Sequence, residues 1–471
     1  MWGLKAYIKP YWKSALIAPL LMLFEVIFDL LQPKYAAHIV NSGVVQQDFH
    51  VIVSTGIVMV IIAFLGLLAG VGCNLFTSRA SQNFGADVRE ALYTKIQTFS
   101  FENLDTFKSG SLITRMTNDV VQVQNLLQIA LQSLVRSPGL LVGSVVMSLL
   151  MNWRLGLILL VSLFVLIVVL ILLIRYSYPL FSKVQTKLDT VNTRIQENLA
   201  GIRVVKAFVR SDYETKRFKK ANRDYTQISI KAARVIALNT PIVTLIINTC
   251  LVIILLYGGN LVWMQSVQVG DLVAFINYVA QVLSSLLMVS MTLMNVSQAN
   301  VSARRIKQVL TTRPNIESNE KGSQSSLLAK NVKFNHVSFS YGESQDKVLR
   351  DVNFEAHHGE TVAIIGSTGA GKSTLVQLIS RLYDVTSGSI QIDGKDIRDI
   401  PLIELRRKIG MVLQDAFLFT GSIRENIAFG RSDATQEEIE KVAKIAQAHD
   451  FISKLPNGYE TRVGQKGVNL S

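Results

Sequence analysis

Apolar residues crowd into six blocks between Ala15 and Met294, each close to the ~20 residues that a helix needs to cross a bilayer core. The blocks are Ala15–Leu31, Val51–Phe76, Leu134–Met151, Leu155–Ile174, Ile242–Trp263 and Leu272–Met294. All are rich in Leu, Ile and Val, and Trp12, Trp153, Tyr176 and Trp263 stand at their edges, as interfacial aromatics do. Only "NWR" separates the third block from the fourth, which predicts a tight helical hairpin. Pro241 heads the fifth, where a proline is tolerated. The stretches after blocks two and four are long, rich in helix formers and nearly free of Gly and Pro, so they predict helices that leave the bilayer and return. Past the sixth block the pattern changes. "TTRPNIESNEKGSQSSLLAK", residues 311–330, has no periodicity and reads as a linker. "NVKFNHVSFSY" then alternates as a strand does, and "TVAII" is a short β-branched strand. The expected architecture is a multidomain membrane protein. An all-α six-helix domain with long helical extensions fills residues 1–310, and an α/β nucleotide-binding domain fills 331–471.

Composition agrees with that division. A chain of 471 residues is too long for one ordinary domain. Hydrophobic residues make up 49% and charged residues 17%, greasier than a soluble enzyme of this size. A net charge of +14 could point to nucleic acid, but its placement points elsewhere. The stretch after block two carries Arg79, Arg89, Lys95, Lys108 and Arg115, and the one after block four carries Arg203, Lys206, Arg210, Lys216, Arg217, Lys219 and Lys220. The short loops after blocks one and three hold one basic residue each, Lys34 and Arg154. This asymmetry places both termini and both long loops in the cytoplasm. With no reading module beside the charge, nucleic acid is not an expected partner. The two cysteines, Cys73 and Cys250, lie inside apolar blocks and read as packing residues. The first block is long and has no small-residue cleavage site after Lys5, Lys9 and Lys13, so no cleavable signal peptide is expected.

The chemistry sits after "TVAII". Gly366, Ser367, Thr368, Gly369, Ala370, Gly371, Lys372 and Ser373 fit G-x-x-x-x-G-K-[ST], and "TLVQLIS", from Thr374, opens a helix. Strand, glycine loop and helix in that order make a phosphate cradle. Glycines let backbone N–H groups turn inward where a Cβ would obstruct them. The helix start adds partial positive charge. Lys372 is placed to reach the β- and γ-phosphates of ATP, and the Ser373 hydroxyl to ligate Mg2+.

Six spans and a tethered phosphate-binding loop resemble the ATP-binding cassette exporters along the whole chain. The resemblance implies that Tyr341, upstream of the loop, stacks on adenine. It implies that Gln414, in "MVLQDAFLFTGSIRENIAFG", senses Mg2+ and water. "TFKSGSLITRMTNDV" resembles the first coupling segment of these exporters, and "ENLAGIRVVKAFVRSDYE" the approach to the second. "VNLS" resembles the opening of the signature motif L-S-G-G-Q, with Leu470 and Ser471 its first residues and Ser471 facing a partner's ATP. On this reading the chain breaks off inside a longer protein. The magnesium-associated aspartate and catalytic glutamate would follow, no catalytic residue falls within 1–471, and this stretch alone is not expected to hydrolyse ATP. One departure stands just upstream. The family often has T-E-V-G-E-R-G, whereas this chain has Thr461-Arg462-Val463-Gly464-Gln465-Lys466-Gly467. Both acidic positions have lost their charge, which suits a different partner subunit. The implied function is ATP-driven export of amphipathic small molecules or lipids across the plasma membrane, as one half of a dimer. The alternative is a nucleotide-binding partner subunit that does not hydrolyse.

Glu25 and Asp29 lie within the first span, one turn apart on a single helix face. Carboxylates at membrane depth are costly and face a cavity or a partner. Two so close are not expected to be charged together. Either they meet cationic amphiphiles in the translocation path, or they form an interhelical hydrogen-bonded pair.

Overall fold

A computed structural model of the chain describes residues 4–317, 330–342, 346–414 and 417–464. The apolar blocks fold as helices that run well past their apolar centres. In chain order the helices of the N-terminal region are α1 (Lys5–Ile8), α2 (Trp12–His38), α3 (Phe49–Gln97), α4 (Phe101–Phe107), α5 (Ser109–Thr114), α6 (Val120–Leu131), α7 (Ser133–Met151), α8 (Trp153–Ala200), α9 (Ile202–Ala207), α10 (Ser211–Ala237), α11 (Asn239–Trp263) and α12 (Val269–Thr311). Among the described residues, 6 helical stretches are long and apolar enough to cross a membrane. α3 alone has 49 residues. At ~1.5 Å per residue it extends about 73 Å, more than twice the ~30 Å of bilayer hydrocarbon. The expected hairpin is present. α7 ends at Met151, and the Asn152 side chain caps α8 by accepting from the amides of Arg154 (3.0 Å) and Leu155 (3.3 Å).

Large apolar side chains stand exposed along these helices, among them Phe64, Leu67, Phe164 and Leu256, a surface suited to lipid. Between the helices, large buried residues such as Phe84, Phe275 and Tyr278 alternate with small ones. Ala18, Ala69, Cys73, Ala80, Ser144 and Ser148 are buried there, and small residues let helices approach closely. α2 is interrupted chemically at Pro33. With no N–H on Pro33, the carbonyl of Asp29 loses its helical donor. α12 makes good the loss. Gln281 Nε2 donates to Asp29 O at 3.2 Å, and the Tyr278 hydroxyl donates to Leu30 O at 2.9 Å. Gln281 is itself fixed by Ser144 Oγ of α7, which donates to its Oε1 at 3.0 Å.

The chain divides into two compact units, Met1–Phe99 with Asn103–Asn315, and Ser100–Glu102 with Ile316–Ser471. The second contains a four-stranded antiparallel sheet of β1 (Val332–Phe339), β2 (Leu349–Ala356), β3 (Ser387–Ile392) and β4 (Lys395–Asp396), in the order β2-β1-β3-β4. Phe334 sits opposite Phe354 on one side and Ile390 on the other. α13 (Lys372–Ile379) and α14 (Leu402–Arg407) cover this sheet, and Phe334, Val337, Leu378, Ile390, Ile392 and Leu405 close its core. α15 (Ile423–Ile427), α16 (Gln436–Ile445), α17 (His449–Ser453) and the short pair β5 (Gly421–Ser422) and β6 (Arg462–Val463) enclose a second, smaller core around Ile423, Ile439 and Ile452.

The expected strand at "TVAII" needs correction. Thr361–Ile365 joins no ladder among the described residues, and Val362, Ile364 and Ile365 are exposed, Ile365 by 94%. Met411–Leu413 behaves in the same way, with Val412 99% exposed. The composition of both is that of strands, but a strand is defined by a neighbour that takes its hydrogen bonds. Among the described residues neither segment has one.

Candidate functional site

The phosphate-binding loop is built around two glycines that only glycine could serve without strain. Gly369 and Gly371 both lie at φ +85°, the left-handed region. A Cβ on Gly371 would also stand 2.7 Å from Leu349 Cδ2. Gly371 then caps α13, whose first residue is Lys372. The first turn of a helix leaves its N–H groups without helical partners, so the loop presents donors and partial positive charge at one place.

Lys372 lies over this loop. Its ammonium donates to the carbonyl oxygens of Gly366 (2.9 Å) and Ser367 (2.8 Å). The cation is therefore held above the glycine loop by neutral acceptors, which a phosphate oxygen would outbid because it carries the opposite charge. Ala370 N donates to Ser367 O at 3.2 Å and closes the turn. Ser373 is exposed beside Lys372, and its hydroxyl is the hard oxygen donor that suits Mg2+.

Tyr341 is fixed from three sides. Its hydroxyl shares a 2.8 Å hydrogen bond with the buried Thr374 Oγ1. Its ring packs edge-on against Phe339 (4.8 Å between centroids) and Tyr383 (5.2 Å). The ring remains 38% exposed, which leaves it area for stacking. Thr374 thus joins the aromatic to the loop, a link that the sequence motif alone did not suggest. Gln414 lies in the exposed irregular backbone after α14, and no hydrogen bond joins it to the loop among the described residues. Leu470 and Ser471, with Gln465 to Gly467, lie outside the described residues.

The acidic pair in α2 has a partner that sequence reasoning missed. Arg136 of α7 reaches both carboxylates, with Nη1 on Glu25 Oε1 and Nη2 on Asp29 Oδ2 at 2.9 Å. Gly70 of α3 makes room for Glu25, since a Cβ there would lie 2.9 Å from the carboxylate. This guanidinium bridges the two acids and opposes their repulsion. A signal was available: Arg136 falls inside the third apolar block, and a lone arginine at membrane depth needs a counter-charge.

Residues 15–286 match the family model of the ABC transporter transmembrane region, and residues 349–471 match the family model described as ABC transporter. The chain is 43% identical over 466 residues to an uncharacterized ABC transporter ATP-binding protein, YfiB, of Bacillus subtilis (strain 168), covering 99% of this chain and 81% of that one. The chain belongs to the ABC transporter family. Another member that it resembles is an uncharacterized ABC transporter ATP-binding protein of Mycobacterium tuberculosis (strain CDC 1551 / Oshkosh), 36% identical over 99% of this chain and 81% of the relative. A third is an ATP-dependent lipid A-core flippase of Syntrophus aciditrophicus (strain SB), 32% identical over 85% of this chain and 67% of the flippase. Membrane region and cassette are fused in one chain, the arrangement of an ABC half-transporter of the exporter type.

Proposed function

We propose that this ABC half-transporter pairs with a second subunit to couple ATP hydrolysis to the outward movement of amphipathic small molecules or lipids across the plasma membrane. The observation that carries the reading is one chain holding six apolar helices and a glycine loop that opens a helix under a lysine. The excess of Lys and Arg in the two long loops supports cytoplasmic termini. A lipid flippase among the relatives supports a bilayer-partitioning substrate.

In this reading the adenine stacks on Tyr341, and Thr374 keeps that ring at the loop. Lys372 exchanges its two carbonyl acceptors for phosphate oxygens. Ser373 and Gln414 would hold Mg2+, which when bound neutralises charge on the phosphates. Ser471 would face the ATP of the partner subunit. Non-acidic Arg462 and Gln465 favour a different partner over a second copy. The second reading is a nucleotide-binding partner subunit that does not hydrolyse.

Lys372→Ala tests the assignment. The variant is expected to lose nucleotide binding and transport in everted membrane vesicles, and unchanged affinity with unchanged transport would remove the phosphate-loop role. Phosphate release by the purified subunit, alone and with its partner, separates the two readings. The acidic pair has its own test. Glu25→Gln with Asp29→Asn keeps volume and removes charge, and is expected to lower resistance to lipophilic cations more than to neutral compounds. Equal effects on both classes, or none, would make the pair with Arg136 an interhelical fastening only.

A further inference from the structure

One face of α6 carries a row of carboxamides that neither the nucleotide site nor the acidic pair explains. Gln122, Asn125, Gln128 and Gln132 follow one another at helical spacing, and one further turn leads to Arg136. At ~1.5 Å per residue the row climbs about 15 Å, and it ends just before the third apolar block opens at Leu134. An open recess of about 350 Å³ lies against it. Five of the seven residues that line the recess are polar and uncharged, the four amides and Ser133.

The row differs from the packed side of the same helix. There Gln124 is buried, and its Oε1 accepts from Arg89 Nη2 at 3.2 Å. Gln122, Asn125 and Gln128 make no side-chain hydrogen bond among the described residues, although Gln122 and Gln128 are half-buried. Gln132 is aimed by Asn74 of α3. Its Nε2 donates to Asn74 Oδ1 at 2.8 Å, and Asn74 Nδ2 donates in turn to the carbonyl of Gly70 at 2.9 Å. That leaves Gln132 Oε1 to accept. The row also differs from a face made for water, which mixes charges freely. α10 places Lys216, Arg217, Lys219 and Lys220 close together, whereas no charged residue lies between Asp119 and Arg136.

A carboxamide offers donors and an acceptor together, as a hydroxyl does, so a row of amides matches a row of hydroxyls in either direction. A charged head would find no counter-charge along the row and would lose hydration without compensation. We propose that the recess takes the head of a neutral, polyhydroxylated amphiphile, a glycosylated lipid in kind, while the tail stays in the bilayer beside the third apolar block. Gln122, Asn125, Gln128 and Gln132 determine its specificity. The proposal rests on the export reading and names a substrate class for it. Glu25 and Asp29, bridged by Arg136 one turn further on, are not part of this subsite.

The test measures binding to the assembled transporter in nanodiscs without nucleotide, with empty nanodiscs as the blank. Three radiolabelled probes share a dodecyl tail and differ in the head: dodecyl maltoside, dodecylphosphocholine and dodecyltrimethylammonium. The maltoside is expected to bind at least about tenfold more tightly than the other two. Gln122→Leu with Asn125→Leu and Gln128→Leu removes three amides at similar volume. It is expected to weaken the maltoside about thirtyfold and the trimethylammonium probe less than about twofold. Maltose, which has no tail, should compete more than about a hundredfold more weakly than the maltoside. Should the leucine variant lose its fold, Gln128→Glu decides instead, and is expected to cut the lead of the maltoside over the trimethylammonium probe about fivefold. Equal binding of the three heads overturns the proposal, as does a folded leucine variant with parental maltoside affinity or an unchanged lead in Gln128→Glu. Maltose competing on a par with the maltoside would make the recess a site for soluble sugar, and overturns it too. If the maltoside binds as expected but no amphiphile moves with ATP, the export reading fails and the recess stands. If cations are exported while the maltoside does not bind above the blank, the recess fails alone.

Discussion

The backbone loses regular hydrogen bonds inside α2 and along Thr361–Ile365, and the two losses are met in different ways. At Pro33 of α2 the loss is one carbonyl, that of Asp29, and the Gln281 amide of α12 donates to it. Along Thr361–Ile365 a whole apolar stretch lacks a ladder among the described residues, and Val362, Ile364 and Ile365 remain open to solvent. The surroundings explain the difference. Water can satisfy an open amide or carbonyl in the nucleotide-binding region, while the hydrocarbon around a span offers no donor or acceptor. A gap in the hydrogen bonding of a membrane span therefore demands a protein partner, whereas a gap outside the membrane can be met by solvent.

The contrast can be broken most strongly in the sheet. Phe334 of β1 is fully buried and stacks on Phe354 at 4.5 Å. Phe334→Ala is expected to cost about 3–5 kcal/mol, whereas Ile365→Ala, at a 94% exposed position, should stay within about 0.5 kcal/mol. Urea titration of the full chain, read by hydrogen exchange of β1 and β3 peptides, measures both. Equal costs would mean that Thr361–Ile365 is paired in solution. The same exchange data sharpen the point without any substitution. Amides of Val362 to Ile365 should open with a free energy near zero, and those of β1, bonded on both sides, with one close to that of global unfolding.

Much of this architecture was legible in the sequence because periodicity and block length report it directly. The six apolar blocks, the hairpin at Asn152 and the glycine loop are local patterns, each written within about twenty consecutive residues. Three features were not legible for one shared reason, that each depends on residues far apart in the chain. Arg136 meets Glu25 and Asp29 across more than 100 positions, and nothing in the acidic pair names its partner. Thr374 meets Tyr341 because β1 and α13 share one core. "TVAII" has the β-branched composition of a strand, but composition cannot supply the neighbour that makes one. A π-helical turn at Arg115 leaves no mark in the sequence, since no residue pattern distinguishes it from the helix on either side.

The smallest effect tests the other side of the comparison, the carbonyl of Asp29. If Gln281 is there to replace the donor that Pro33 removed, its value should depend on the proline. Gln281→Leu removes the amide that reaches Asp29 O at 3.2 Å and also the acceptor for Ser144. In the parent chain this is expected to cost about 2 kcal/mol, about 1 for each of the two bonds. Pro33→Ala returns an N–H to position 33 and lets the ordinary helical bond to Asp29 O form. In that background the bond from Gln281 to Asp29 is redundant, and Gln281→Leu should cost only what the Ser144 contact contributes. Ser144→Ala isolates that remainder, so the four-corner cycle through Pro33 and Gln281 yields the coupling alone. Thermal unfolding in detergent, followed at the far-ultraviolet helix signal, provides the four stabilities. A coupling near 0.5–1 kcal/mol supports replacement of the backbone donor by a side chain. A coupling of zero would mean that Gln281 packs against α2 for reasons unrelated to the proline, and the contrast with the open segment at Thr361–Ile365 would lose its membrane half.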